Sequence, residues 1–510
     1  MIKKLFMVFA AVFGFGFLAA CGGGQTTTTK ATTTVNGGNQ GTTTKKPGQQ
    51  TTTTKKPVVT TQDEYMAYWD QDGNGVEDWT EKEITLTYAS WMHNTTEDET
   101  IESLMIREFT KKYPNIKVEM KIVGESSEWD QKMIELFEAE DLPDVFLVNR
   151  LENFLPMGIL ANITEMYNHD PDTQYIFDSV RDLGLYKDKR YVIPTYLYPQ
   201  FWVVNKSLLE EKNVDIPTYD WTWDQMENIA RTVRDDTRHY IGVYGTAQYF
   251  YEYHKVLAGK DSGLYAYGYD GTSFNFDSPE YMQAMADLEL DIMEGHVVNA
   301  VSPEQALEWY GNAEIDPRYA GKVGIWREAS WSVKDKLADF EFEYDIYPAP
   351  SGVGMGNTDI AAVSATCRNK QAAYQLLKWL SYSEEGILKR YELYDLYSED
   401  LAISGNNYPY PIVDYGYNDD GENLIWEAIP YGKTAAGLVS PEYVEALKYG
   451  AIQANKEVIG WDAVDQAVNV YFGQILNGEG VTFAGLVETI QAAADFALKD
   501  RRDYVDSMLG

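Results

Sequence analysis

The sequence predicts an α/β fold with a largely parallel sheet, and three stretches at the start of its folded part carry that prediction. Residues 84–91 (ITLTYASW) alternate apolar and polar side chains, as a half-buried strand does. A helical pattern with Ile101, Met105 and Phe109 on one face follows, and a second strand pattern covers 116–123 (IKVEMKIV). Strand, helix, strand is the order of a βα unit whose strands pair in parallel.

Later elements continue the same alternation of strands and helices. Residues 141–148 (DLPDVFLV) predict a third strand that is entered through a turn. One amphipathic helix begins at Ser278 and Pro279, and it places four apolar residues on one stripe: Met282, Met285, Leu288 and Ile292. Another has its apolar face at Ala372, Leu376, Leu377 and Leu380.

The first 21 residues have the pattern of a bacterial lipoprotein signal. Two lysines precede an apolar run over 5–20, and 18–21 (LAAC) place small residues before Cys21. The run is shorter than the ~20 residues that span a bilayer. We therefore predict that residues 1–20 are removed and that Cys21 is acylated, so the protein is held on the extracellular face of the cell membrane by lipid. The alternative is an uncleaved membrane anchor.

Residues 21–62 predict a disordered tether. They consist largely of Thr runs, Gly, Gln and Lys-Lys-Pro, with seven lysines and no acid over residues 1–62. So few apolar residues cannot offset the entropy of folding. The segment would act as a stalk between membrane and folded body.

Charge and cysteine usage exclude several classes of function. The formal charge of the chain is −37, and the first 62 residues contribute +7, so residues 63–510 carry −44. A body this acidic repels nucleic acid and anionic lipid, and we exclude nucleic-acid binding. Cys21 and Cys367 are the two cysteines. Since the first is assigned to lipid, an intramolecular disulfide and a cysteine-rich metal site are also excluded.

Residues 63–82 contain a stretch that matches the twelve-residue EF-hand calcium loop (DQDGNGVEDWTE). Gly75 stands at the sharp turn, and the predicted calcium ligands are Asp70, Asp72, Asn74, Val76 (through its carbonyl), Asp78 and Glu81. Position eight is Glu77 rather than an apolar residue, and the sequence has no second loop of this kind. The stretch is therefore more similar to the single loops of dockerin or thrombospondin type 3 repeats than to a paired sensor. We predict a structural Ca²⁺ site; the alternative is a solvated acidic linker.

Eight short segments in a fixed order resemble the extracellular solute-binding proteins of sugar ABC importers, family 1, which are similar to maltose-binding protein. The segments are 109–118 (FTKKYPNIKV), 141–146 (DLPDVF), 191–194 (YVIP), 203–206 (VVNK), 221–224 (WTWD), 321–326 (GKVGIW), 347–350 (YPAP) and 372–379 (AAYQLLKW). No single segment is specific. Their order and spacing from residue 83 to about residue 500 carry the resemblance.

The resemblance implies a periplasmic-binding-protein-like fold of type II over residues 83–510, with two α/β lobes joined by crossing strands. Lobe 1 would comprise about 83–199 and 351–400, and lobe 2 about 203–345 and the C-terminal helices. It also implies hinge closure around a ligand, followed by delivery to ABC transporter permease subunits. The protein would act as a monomer without enzymatic activity.

The same resemblance places a carbohydrate ligand, an oligosaccharide by preference, against aromatic faces and polar groups at strand ends. The predicted substrate-binding residues are Trp91, Asn149, Arg150, Tyr196, Tyr198, Trp326, Trp331, Asp359 and Tyr431. Where maltose binders carry an aromatic and an acid after the third strand, this chain has Val148-Asn149-Arg150. That departure puts maltodextrin in doubt.

Other functions stay open at the level of sequence. The same fold binding a peptide or a polyamine is one alternative, which the acidic charge favours slightly. A calcium-dependent surface adhesion lipoprotein is another, although it leaves the family-like body unexplained. A glycosidase finds no support, since the five histidines show no metal-binding spacing and no nucleophile motif is present.

Overall fold

The computed structural model describes residues 61–94, 99–332, 340–405 and 407–509. The predicted signal peptide, the predicted lipidation site at Cys21 and nearly all of the predicted tether lie outside these residues. Among the described helices, none has the length and apolar character required to cross a bilayer.

The described strands lie mainly between residues 84 and 363. They are β1 Ile84–Ala89, β2 Ile116–Met120, β3 Val145–Val148, β4 Leu185–Tyr186, β5 Lys189–Arg190, β6 Ile193–Asn205, β7 Ile241–Tyr244, β8 Val297–Val298, β9 Val323–Ala329, β10 Tyr344–Tyr347, β11 Met355–Val363 and β12 Ala451–Ile452.

The described helices alternate with these strands and then dominate the C-terminal part. They are α1 Gln62–Trp69, α2 Ile101–Lys112, α3 Trp129–Glu138, α4 Leu151–Phe154, α5 Thr164–Asn168, α6 Asp178–Arg181, α7 Lys206–Glu211, α8 Trp223–Val233, α9 His254–Ala258, α10 Pro279–Glu294, α11 Pro303–Tyr310, α12 Lys370–Ser381, α13 Glu384–Leu396, α14 Leu401–Ser404, α15 Leu424–Ala428, α16 Pro441–Lys448, α17 Trp461–Leu476 and α18 Phe483–Leu509.

Local sequence explains where the predicted helices begin. Thr100 caps α2 by accepting the backbone N–H of Ser103, and the Ser103 hydroxyl in turn accepts the N–H of Thr100. Ser278 caps α10, and Pro279 stands in its first turn, where a missing N–H costs nothing. The sequence prediction for both helices is confirmed.

One ten-stranded sheet runs through the described residues in the order β2-β1-β3-β11-β6-β9-β7-β8, with β10 paired to β6 and β12 paired to β11. The strands β1, β2 and β3 pair in parallel, as do β7, β8 and β9. The two sets are joined by β6 and β11, which run antiparallel to each other; β11 is also antiparallel to β3, and β6 to β9. The sheet is therefore mixed rather than largely parallel, because the crossing strands reverse direction between the two parallel sets.

The long strand β6 passes from one lobe to the other. Its first half pairs with β11, and Gln200 pairs with both Met355 of β11 and Ala329 of β9. Beyond that point β6 pairs with β9 and β10 of lobe 2. The chain returns between the end of β10 and the start of β11. This is the two-lobed α/β architecture that the resemblance implies.

The C-terminal hairpin of α17 and α18 contacts both lobes. Phe472 packs on Phe250 of lobe 2, with ring centroids 4.7 Å apart. On the lobe 1 side, Arg150 pairs with Asp462 at 2.8 Å, and Lys187 pairs with Asp506 at 2.6 Å. The hairpin therefore links the lobes in addition to the crossing strands.

Candidate functional site

A cleft of about 430 Å³ lies where β1, β6, β9 and β11 end or cross, beside the turn of α14. Pockets that hold small molecules typically have volumes of about 300–1,000 Å³. Strand ends and crossing loops can present side chains at such a position without disturbing the sheet. The side chains that line it include Trp91, Glu102, Tyr198, Trp331, Asn357, Asp359, Tyr394, Asn407 and Lys456.

Four of the nine predicted substrate-binding residues line this cleft: Trp91, Tyr198, Trp331 and Asp359. Trp91 follows β1 and packs edge-on against Trp129, with centroids 5.2 Å apart. The ammonium of Lys456 lies 5.3 Å from the centre of the Trp91 ring. Trp331 lies two residues after the end of β9 and is 41% exposed, so part of its surface is available to a ligand.

Each charged side chain among the described lining residues has a partner of opposite charge. Asp359, on β11, forms an ion pair with Lys456. Glu102, in the first turn of α2, accepts a hydrogen bond from Arg390 at 2.8 Å and another from the Tyr88 hydroxyl at 2.8 Å. Of the described residues that line the cleft, Glu102 and Asp359 are the acidic ones, and each has a cation partner. The described part of the site therefore presents polar groups whose charges are balanced.

Burial sets the protonation of two groups near the floor of the cleft. The pKa of the Tyr198 hydroxyl lies well above its usual value, first because it is buried and second because Asp359 is near. Tyr198 is thus a neutral phenol. Behind the floor, burial raises the pKa of Glu457 to about 7, and its carboxylate accepts a hydrogen bond from Thr358.

The other five predicted residues lie elsewhere. Trp326 is in the middle of β9 with no exposed surface, and its ring packs edge-on against Phe340 and Phe342. Tyr196 lies behind the cleft, where its hydroxyl donates to the carbonyl of Leu380.

Asn149 and Arg150 do not line the cleft, and Arg150 faces the C-terminal hairpin instead. Arg150 donates to the carbonyl of Asn149 at 3.0 Å while it pairs with Asp462. Tyr431 is buried and lines a second cavity beyond α14.

Several lining residues were missed by the sequence reasoning. Asn357 has a detectable signal, because it stands two positions before Asp359 and so shares its face of β11. Lys456 follows the short strand β12, and Tyr394 lies on α13; neither belongs to a motif. The turn of α14 and the residues after it also line the cleft, and no local sequence pattern predicts that they do.

The predicted calcium loop is a tight turn whose oxygen atoms converge. Carboxylate oxygens of Asp70, Asp72 and Asp78 lie within 4.8 Å of one another. Gly75 has φ +87°, a conformation that suits a residue without Cβ. Asn74 donates its side-chain amide to Glu81 at 2.7 Å. The donor set is made of oxygen, which suits a hard cation such as Ca²⁺.

Two tryptophans attach this loop to lobe 1: Trp69 directly before it and Trp79 near its end. Trp69 is fully buried and donates its indole N–H to the carbonyl of His169 at 3.3 Å. Trp79 packs edge-on against Tyr113, with centroids 4.9 Å apart. The loop is therefore anchored near both of its ends by buried aromatic side chains.

Solved structures share the fold over most of this chain at low sequence identity. The sugar-binding protein MalE from Xanthomonas citri superposes with a TM-score of 0.59 and 16% identity, covering 83% of this chain and 99% of its own. The cyclic alpha-maltosyl-1,6-maltose binding protein from Arthrobacter globiformis gives 0.59 and 18%, covering 82% and 99%.

A third structure is an ABC substrate-binding protein from Listeria monocytogenes in complex with cycloalternan. It superposes with a TM-score of 0.52 and 20% identity, covering 84% of this chain and 100% of its own. These likenesses establish the two-lobed fold.

The family assignment comes from the sequence match. The family model described as bacterial extracellular solute-binding protein matches residues 93–387, which is more than half of the chain. The match covers the α/β parts of both lobes, from α2 to α13, and includes β6, β9 and β11 at the cleft. This chain is therefore a member of the bacterial extracellular solute-binding protein family.

Proposed function

We propose that the protein captures an oligosaccharide in the cleft and delivers it to the permease of an ABC importer. The observation that carries this proposal is the lining of the cleft, where Trp91 and Trp331 offer aromatic surface beside hydrogen-bonding groups such as Asn357 and Asp359. Aromatic faces cover the C–H faces of sugars, and polar side chains bind their hydroxyls. Structural neighbours that bind cycloalternan and cyclic maltosyl-maltose support the same ligand class.

The pairing of charges favours a neutral ligand over a polyamine. A polyamine needs carboxylates that are available to its ammonium groups, whereas Glu102 pairs with Arg390 and Asp359 pairs with Lys456. A peptide would need partners for its termini, and Lys456, the cation among the described lining residues, is already paired with Asp359. A sugar requires no charged partner, because its hydroxyl groups accept and donate hydrogen bonds without being ionised.

We further propose that the protein works as a monomer on the extracellular face of the cell membrane, held by a lipid on Cys21. The tether would end at α1, whose last residue, Trp69, is buried against lobe 1. Lobe 1 would then be the lobe that is tied to the membrane, and lobe 2 would move on the crossing strands when ligand binds.

Tryptophan fluorescence provides the direct test of carbohydrate binding. The panel consists of the disaccharides and hexasaccharides of the malto, isomalto, cello and xylo series. We expect at least one to cause a saturable change with a Kd near or below about 1 μM, ~8 kcal/mol of binding free energy. The absence of a saturable change with every sugar of the panel would refute the proposal, and a saturable response to peptides or polyamines would then identify the ligand class.

Replacing Trp331 with alanine should weaken binding of the sugar found in that panel by about tenfold or more, ~1.4 kcal/mol. The ring is exposed at the cleft, so its loss removes ligand contact with little effect on the core. Trp309→Ala is the matched control, because Trp309 packs on His239 outside the cleft. Isothermal titration calorimetry measures both; equal losses in the two variants would contradict the assignment of Trp331.

We also propose that the loop of residues 70–81 binds a structural Ca²⁺. Asp70, Asp72, Asn74, Asp78 and Glu81 would supply side-chain oxygens and Val76 its carbonyl. The ion would offset the repulsion between carboxylates that lie within 4.8 Å of one another. Since Trp69 and Trp79 anchor both ends of the loop, the ion would stabilise the junction between tether and lobe 1.

Calcium should therefore raise the thermal midpoint of the protein. A ligand that binds the folded state alone adds about 2.7 kcal/mol at a free concentration of one hundred times its Kd. Differential scanning calorimetry with calcium and with chelator measures the effect. Glu81→Gln should remove it, and Asp63→Asn, an exposed acid on the preceding helix, should retain it. An equal calcium response in Glu81→Gln and the unmodified protein would exclude this site.

A further inference from the structure

A second cavity lies beyond the cleft, on the other side of α14. Its volume is about 450 Å³, similar to that of the cleft itself. Tyr394 lines both cavities. The turn of α14 also contributes to both, since Leu401 lines the second cavity and Ala402 lines the cleft. One aromatic side chain and one helical turn therefore separate them.

The lining of the second cavity has the chemistry of a carbohydrate site. Tyr344, Tyr408 and Tyr431 contribute aromatic surface in addition to Tyr394. Ser398, Glu399 and Thr434 contribute hydroxyl and carboxylate oxygens. The cation there, Lys433, pairs with Asp395. As in the cleft, aromatic rings are combined with hydrogen-bonding groups, and the positive charge of the lysine is balanced by an acidic partner.

Both lobes contribute to this cavity. Tyr344 begins β10, which pairs with the lobe 2 end of β6, and Tyr344 itself is in register with Asn205. Tyr394 comes from α13, which packs against α2 of lobe 1. A ligand that enters the cavity would therefore contact both sides of the hinge, as a ligand in the cleft does.

We propose that the second cavity is an additional carbohydrate subsite, which holds the part of an oligosaccharide that extends past Tyr394 from the cleft. This inference rests on the proposed function and adds that the protein selects for longer chains. Each cavity has a volume within the range of a single small-molecule site, so a ligand that uses both is longer than one that fills the cleft alone. The shared tyrosine is the point at which the sugar chain would cross.

The test obstructs the second cavity and leaves the cleft intact. Ser398 is exposed at the cavity wall, so Ser398→Trp introduces a bulky side chain without removing a core contact. Ser262→Trp, at an exposed serine outside both cavities, is the matched control. Isothermal titration with the four disaccharides and four hexasaccharides of the panel gives affinity and stoichiometry for each protein.

We expect Ser398→Trp to weaken hexasaccharide binding by about tenfold or more, ~1.4 kcal/mol, and to leave disaccharide binding within about twofold of the unmodified protein. The control should match the unmodified protein for both lengths. Unchanged hexasaccharide binding, equal losses for both lengths, or two hexasaccharides bound per protein would each overturn the subsite. If the unmodified protein binds none of the eight sugars, the proposed function fails and the subsite fails with it. Thr434→Leu, which removes a hydroxyl from the same cavity, should produce a smaller loss confined to the hexasaccharide.

Discussion

Replacing Arg390 with methionine will lower the free energy of unfolding by about 3–5 kcal/mol, the usual cost of leaving one partner of a buried ion pair unpaired. Arg390 and Glu102 are each 3% exposed, and a hydrogen bond of 2.8 Å joins them. The guanidinium also lies 4.4 Å from the centre of the Tyr196 ring. Methionine preserves much of the side-chain volume of arginine. The loss of stability therefore comes from the uncompensated carboxylate of Glu102 rather than from a cavity. Urea unfolding followed by circular dichroism measures it.

A double variant separates the ion pair from the packing around it. Glu102→Gln combined with Arg390→Met should recover part of the lost stability, because the buried carboxylate is gone. The amide of a glutamine can still accept the hydrogen bond that the Tyr88 hydroxyl donates to Glu102 at 2.8 Å. A double variant that is less stable than Arg390→Met would show that charge compensation is not the main contribution of Arg390.

Relative to the unmodified protein, the Glu457→Gln variant will gain stability as the pH rises from acidic to neutral. The usual pKa of a glutamate is 4.5, and burial raises that of Glu457 to about 7. Between these values the unfolded chain loses the proton while the folded protein keeps it, so the stability contributed by this group falls as the pH rises. Over that interval the loss amounts to roughly 3 kcal/mol, and it levels off above the folded pKa. Glutamine does not titrate, so the Glu457→Gln variant should not show this loss of stability as the pH rises.

The measurement is the difference in unfolding free energy between Glu457→Gln and the unmodified protein from pH 4.5 to pH 8. It should grow in favour of the variant up to about pH 7 and then stay constant. Glu479→Gln, at an exposed glutamate, should show no such trend. A flat difference for Glu457→Gln would mean that the buried carboxylate is charged throughout this range.

Much of the fold follows from the sequence, because period and capping are local properties. Three strand patterns and the capped helices at Thr100 and Ser278 appear where they are expected, within a few residues at each end. The direction of strand pairing is not a local property. The second half of β11, residues 360–363 (IAAV), is apolar and fits a parallel or an antiparallel neighbour equally well. Its antiparallel pairing with β3 depends on how the chain returns from lobe 2.

The site was harder to predict for a related reason. Trp326 and Trp331 are five positions apart, but β9 is covered on both faces, so alternation does not reveal which tryptophan is buried. Arg150 follows a strand end as a ligand-binding residue would, yet its partner Asp462 lies more than three hundred positions later in the sequence. Tyr394 reaches the cleft from a helix that has no distinguishing motif. Each of these outcomes depends on contacts between distant segments.

The way in which both lobes are completed late in the chain also has a consequence for folding. Lobe 1 requires β11 to pair with β3, and the aromatic core of lobe 2 receives Phe472 and Phe483 from the final hairpin. Contacts between such distant segments form slowly, and neither core can close early in synthesis. A nascent chain that emerges N-terminus first would therefore lack a complete core in either lobe until its C-terminal segments are available. That delay is compatible with threading through a narrow translocation channel, which the predicted signal peptide would require.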